Sequence, residues 1–122
     1  MEDMKLGLVE SRFADIIWQH EPLSSGELVR HCHQQLSWKK STTYTVLKKL
    51  CDRGLFQNLD GIVTSRISKQ EFDALQSEQF IADTFDGSLP AFIAAFTRRR
   101  SLSAGEIEAI RRMIDTKGDE SR

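Results

Sequence analysis

Residues 38–67 read WKKSTTYTVLKKLCDRGLFQNLDGIVTSRI, and this stretch decides the fold. From Ser41 to Asp52 the pattern is helical. At 100° per residue, Thr43, Val46, Leu47 and Leu50 gather on one face. Ser41, Thr45, Lys48, Lys49 and Asp52 fall on the opposite face, with Thr42 on its flank. Gly54 stands just past the helix end, where a positive φ is wanted. Leu55–Leu59 and Ile62–Ile67 are β-rich runs joined by Asp60-Gly61, a pair suited to a type I′ hairpin turn. A polar-faced helix followed at once by a hairpin is the second half of a winged helix.

The flanking residues complete the pattern. Upstream, Ser24 and Glu27 form a capping box, and Leu28, Cys32 and Leu36 give the helix they open a single apolar line. Its connection to the next helix ends at Trp38, expected in a very short strand. Val9, Phe13, Ile16 and Ile17 form a one-faced stripe that predicts a first helix from about Val9 to His20, stopped by Pro22. Downstream, Ser68 and Glu71 cap a helix running to about Asp86, with Phe72, Leu75, Phe80, Ile81 and Phe85 as its apolar sites and Gly87 as its terminator. Pro90 belongs to the first turn of another helix. Ser103 and Glu106 cap a last one, carrying Ile107, Ile110, Met113 and Ile114. Asp119–Arg122 reads as a frayed tail.

The helix between them, with Ala91-Phe92-Ile93-Ala94-Ala95-Phe96 as its body, is apolar nearly all round. Such a helix needs neighbours on every side, and two flanking helices of one chain do not supply them. The pattern therefore predicts a homodimer joined by interlocked C-terminal helices, with Phe85, Leu89, Phe92, Ile93, Phe96, Ile107, Ile110 and Ile114 as interface candidates. The expected fold is mainly α with a small β-hairpin. A winged helix-turn-helix occupies 1–67 and a three-helix dimerisation region 68–122.

Composition narrows the function. A formal net charge of −1 over 122 residues says nothing about nucleic acid, but the charge is uneven. Between Trp38 and Arg53, Lys39, Lys40, Lys48, Lys49 and Arg53 stand against Asp52 alone. A basic patch confined to one segment is the kind of electrostatic footprint that nucleic acid selects. The major groove admits one helix; lysines neutralise phosphates, and threonine hydroxyls and methyls near the helix N-terminus reach base edges. Thr42, Thr45, Lys48 and Lys49 are the outward residues. Trp38 is expected to pack in the core, with an indole N–H that could also meet a phosphate. The bland alternative for the whole face is an ordinary solvated surface.

Other features carry less. His31-Cys32-His33 cannot converge on one ion, because neighbouring helix residues point about 100° apart. Cys32 and Cys51 form no metal spacing and no disulfide framework, which suits a reducing compartment. Arg98-Arg99-Arg100 suits a solvated helix end beside its last carbonyls. No apolar run approaches a membrane span, and Glu2 and Asp3 stand where a signal peptide is basic, so a cytoplasmic location is expected. No phosphate loop or catalytic constellation appears, so neither enzyme activity nor a cofactor is expected. A winged-helix module that binds protein through the same surface is the alternative, and salt dependence separates the two.

The runs Glu10–Trp18 (ESRFADIIW), Pro22-Leu23, Trp38–Leu55, Phe85–Leu89 (FDGSL) and Leu102–Glu106 (LSAGE) together resemble the penicillinase and methicillin-resistance repressor family. The likeness extends from about Leu6 to Asp115. It implies a dimeric repressor on a double-stranded, dyad DNA operator, with Ser41, Thr42, Tyr44 and Thr45 at recognition positions beside Lys40 and a C-terminal dimerisation domain. It also implies that a sensor-linked protease could release the DNA by cutting the dimerisation helix, here at Ala95-Phe96, where the family has Asn-Phe. Two departures stand out. The wing carries Leu59-Asp60-Gly61-Ile62, with Arg66 its only cation, where the family is basic and aromatic. Copper-responsive relatives carry a C-terminal cysteine cluster, and no cysteine follows Cys51.

Overall fold

The computed structural model describes residues 5–117. Glu2, Asp3 and the tail Asp119–Arg122 lie outside the described residues. Helix α1 spans Leu8–His20 and buries Phe13, Ile16 and Ile17 of the expected stripe, together with Ala14; Val9, expected in that stripe, lies in the first turn and is 49% exposed. Helix α2, Ser25–Leu36, opens on the Ser24 box: Ser24 Oγ accepts the Glu27 N–H at 3.0 Å, and Glu27 Oε1 accepts the Ser24 N–H at 2.8 Å. Helix α3, Lys40–Asp52, buries Thr43, Leu47 and Leu50. Gly54 follows with φ +87°, and its N–H bonds the Cys51 carbonyl at 2.9 Å.

The hairpin consists of β2, Phe56–Leu59, and β3, Ile62–Ser65. Asp60 and Gly61 take φ +53° and +81°, the double positive φ of a type I′ turn. A third strand, β1, is Leu23–Ser24, antiparallel to β3 with Leu23 opposite Val63, so the sheet order is β1-β3-β2. The short strand expected at Trp38 is absent; Trp38 lies between α2 and α3 in no strand. The reason is geometric: β3 has one edge left free by β2, and the segment leaving α1 fills it. Glu21 strengthens that closure, its carboxylate accepting the Ser65 N–H at 2.8 Å and the Ser65 hydroxyl at 2.9 Å.

Helix α4 spans Lys69–Phe85, with Ser68 Oγ accepting the Glu71 N–H at 3.0 Å. Contacts divide the chain within this helix: one unit ends at Gln79 and the next begins at Phe80. The expected boundary at Ile67/Ser68 marks where α4 starts; the contact boundary falls later because Phe72 belongs to the core of the first unit. That core gathers Phe13, Ile17, Leu28, Leu50, Leu55, Phe56 and Val63 around it. Trp18 caps it, ring against Phe56 and Phe72, and donates its indole N–H to the Ile67 carbonyl at 3.0 Å.

The second unit contains the end of α4, α5 (Leu89–Arg99) and α6 (Ala104–Lys117). Ser88 caps α5, accepting the Ala91 N–H at 3.1 Å. Ser103 and Glu106 exchange both bonds of a capping box, at 2.9 and 3.0 Å. Phe80, Phe85 and Phe92 meet edge-on with centroids 5.7–6.0 Å apart. Even so, no described residue from Phe80 onward is buried. Leu89, Ile93, Leu102, Ile107, Ile110 and Ile114 line an open apolar groove of about 610 Å³.

Candidate nucleic-acid interface

The exposed side of α3 is the candidate surface. Burial of Thr43, Leu47 and Leu50 leaves Ser41, Thr42, Tyr44, Thr45, Lys48 and Lys49 outside. Thr45 donates its hydroxyl to the Ser41 carbonyl at 2.9 Å. The hydrogen is thereby committed, and the group faces outward as an acceptor with a methyl. Tyr44 donates its hydroxyl to Ser25 Oγ at 3.1 Å, tying α3 to the first residue of α2. Lys40 Nζ lies 6.0 Å from the centre of the Tyr44 ring. The Tyr44–Ser25 bond joins the two helices at the end where the small hydroxyls sit. Spacing along the sequence could not show the Tyr44–Ser25 bond.

Charge is distributed less evenly than the residue count suggests. Lys48 pairs with Asp52 at 3.0 Å and Lys49 with Glu10 of α1 at 2.7 Å. Lys39 and Lys40 pair with no acid among the described residues. The unspent positive charge therefore sits at the N-terminal end of α3, beside Ser41 and Thr42. Glu10 also accepts the Gly7 N–H at 3.1 Å. The Lys49 bond, then that from Gly7, holds its carboxyl below the ordinary range.

Trp38 stacks on Phe13, centroids 5.4 Å apart and planes 25° from parallel, and is half-buried. Its ring thus packs as expected. The hairpin projects Leu59 and Ile62, which are 62% and 45% exposed, around Asp60. The wing tip is therefore apolar with one acid, as its sequence implied. Of the His31-Cys32-His33 run, Cys32 is fully buried, and burial raises its thiol pKa. His31 stacks on His20 at 4.1 Å and His33 is exposed. The three point in different directions.

In the second unit, Phe92, Phe96 and Ile93 lie on α5, with Phe96 39% and Ile93 36% exposed. Ala95 and Phe96 stand inside the helix, with Arg100 5.8 Å from the Phe96 ring. No helix of the described residues is long and apolar enough to cross a membrane.

Comparison with known proteins matches residues 6–116 to the penicillinase repressor family. The chain belongs to that family. It is 22% identical over 104 residues to the penicillinase repressor of Bacillus licheniformis, covering 82% of this chain and 81% of the relative. It is 22% identical over 117 residues to the methicillin resistance regulatory protein MecI of Staphylococcus aureus, covering 93% and 95%. The MecI of Mammaliicoccus sciuri is 21% identical over a stretch of the same length. Membership makes the protein a transcriptional repressor by class, built as a winged helix with a helical C-terminal region.

Proposed function

We propose that the protein is a homodimeric, sequence-specific repressor that binds a dyad DNA operator through α3, with 1–67 as the reading domain and 68–122 as the dimerisation domain. The observation that carries this reading is the exposed first half of α3. There, Ser41, Thr42 and Thr45 present small polar groups beside Lys39 and Lys40, which pair with no acid among the described residues. Small side chains let the helix approach base edges, and the lysines meet the flanking phosphates. Tyr44 orients the helix, Lys48 reaches backbone when it leaves Asp52, and Trp38 offers its indole edge at the helix entrance.

The dimer follows from size and exposure. A helical unit of about forty residues rarely closes a core alone, and this one leaves Leu89, Ile93, Ile107 and Ile114 exposed. A second copy would cover Leu89, Ile93, Phe96, Ile107, Ile110 and Ile114 with the same residues, as a two-fold interface requires. Selection of bound duplexes from a random pool tests the whole reading: a dyad consensus supports it. A pool that stays random, or binding indifferent to salt, favours a protein partner for the same surface.

Release by a sensor-linked protease is the route the family likeness suggests. A cut between Ala95 and Phe96 would divide α5 and remove the shared core while leaving the first unit folded. Alanine in place of the family's asparagine argues for a protease of different preference. Following the intact mass in the native host during derepression tests this route, which ends if the full-length chain persists undiminished.

A further inference from the structure

We propose that Glu10 competes with DNA phosphate for Lys49 and so limits sequence-independent binding by this repressor. The proposal rests on the reading of α3 as the DNA-facing helix. Thr42, Thr45 and Lys49 lie three and four residues apart and share one side of α3. A lysine in that position would ordinarily add a phosphate contact. Here its ammonium lies 2.7 Å from a carboxylate on a different helix, 39 residues away in sequence.

The acid is the fixed partner. The Glu10 side chain is 21% exposed against 59% for Lys49, and its other oxygen accepts the Gly7 N–H at the start of α1. Arg53, one turn beyond Lys49, also lies in the field of Glu10. Lys48 is held by Asp52. The C-terminal half of α3 is thus matched to acids of the same chain, while Lys39 and Lys40 at the other end pair with none among the described residues. DNA gains affinity by releasing counterions to cations that are free to replace them. A cation already facing a carboxylate contributes less, whatever the base sequence. An exposed pair of this kind is weak, so Glu10 would offset the contact without abolishing it.

The test is titration of a random-sequence duplex, at several salt concentrations, with the parent, Glu10→Gln, Lys49→Ala and the double variant. Glutamine keeps an acceptor for the Gly7 N–H. Glu10→Gln should tighten binding about threefold to tenfold at low salt and steepen the salt dependence by up to about one ion. Lys49→Ala should weaken the Glu10→Gln protein more than it weakens the parent. Unchanged binding by Glu10→Gln overturns the proposal. So does weaker binding at an unaltered melting temperature, since Glu10 would then be positioning α3. Should Glu10→Gln fail to fold, Glu10→Asp, which draws the carboxylate back from Lys49, is read in the same way. A parent that binds no DNA removes the reading of α3 itself, a result distinct from a parent that binds while the Glu10 variants change nothing.

Discussion

In the first unit, Phe13, Ile17, Leu28, Leu50, Leu55, Phe56 and Val63 are each at most 1% exposed, whereas in the second unit Leu89, Met113 and Ile114 are each more than half exposed. Both units are rich in apolar residues and both have capped helices. The difference is geometric: three helices and a three-stranded sheet can surround a core, but the end of α4 and α6 cannot enclose an apolar α5. Local signals of equal strength thus produce one unit whose core is closed within the chain and another that exposes what should be its core. Stability of the first should be independent of concentration, and that of the second should depend on it.

The sharpest way to break this contrast is Phe92→Asp. Phe92 meets Phe80 and Phe85 edge-on, and a carboxylate there would be desolvated without a partner. The variant should sediment as a monomer and lose DNA affinity by about a hundredfold or more, because two linked half-sites gain through effective concentration. A parent that is monomeric at micromolar concentration would defeat the dimer. In the first unit the corresponding change is Phe13→Ala, which removes a fully buried ring stacked on Trp38. It should destabilise that unit by about 3–5 kcal/mol, with a melting midpoint that does not move with concentration while that of the second unit does.

The two units also differ in how much could be read from the chain. The caps at Ser24, Ser68 and Ser103, the turn at Asp60-Gly61 and the two faces of α3 depend on residues within four of one another, and those were legible. The strand Leu23–Ser24 was not, because two residues have no periodicity and their pairing with β3 closes across about forty positions. Sequence alone assigned a short strand to Trp38, whose ring instead found Phe13. The contact boundary inside α4 was hidden for a related reason: Ser68 announces where a helix begins, but not that Phe72 and Phe80 serve different clusters. At the candidate interface, the exposed hydroxyls were foreseen. The bonds that redistribute its charge and tie it to its neighbours, Lys49 to Glu10 and Tyr44 to Ser25, join separate helices and carry no local signal.

A smaller effect sharpens the functional side of the comparison. Thr42 and Thr45 are both exposed on α3, but only Thr45 gives its hydroxyl hydrogen to the backbone. Thr42→Ala and Thr45→Ala should each reduce discrimination between a selected operator and random DNA by about 1–3 kcal/mol if each hydroxyl meets a base. Neither should alter sedimentation, because neither lies in the second unit. Binding curves for both variants that coincide with the parent on both duplexes would exclude α3 as the reader.

The smallest expected effect uses two capping boxes, one taken from each unit. Glu27 accepts the Ser24 N–H in the first, and Glu106 accepts the Ser103 N–H in the second. In each case that backbone bond is the leading cause of a carboxyl pKa held below its ordinary value of 4.5. The unfolded chain then binds the proton more readily than the folded one, so stability rises with pH across the interval between the folded pKa and 4.5. The contribution is complete above that interval and lost below it. Glu27→Gln should flatten the acid limb of the concentration-independent transition, and Glu106→Gln that of the concentration-dependent one. Glu27 is exposed and Glu106 partly so, and salt should shrink both effects. The informative result is the assignment: if Glu106→Gln alters the acid limb of the transition that ignores concentration, the two units do not melt separately, and the contrast between a self-sufficient unit and a partner-dependent one fails.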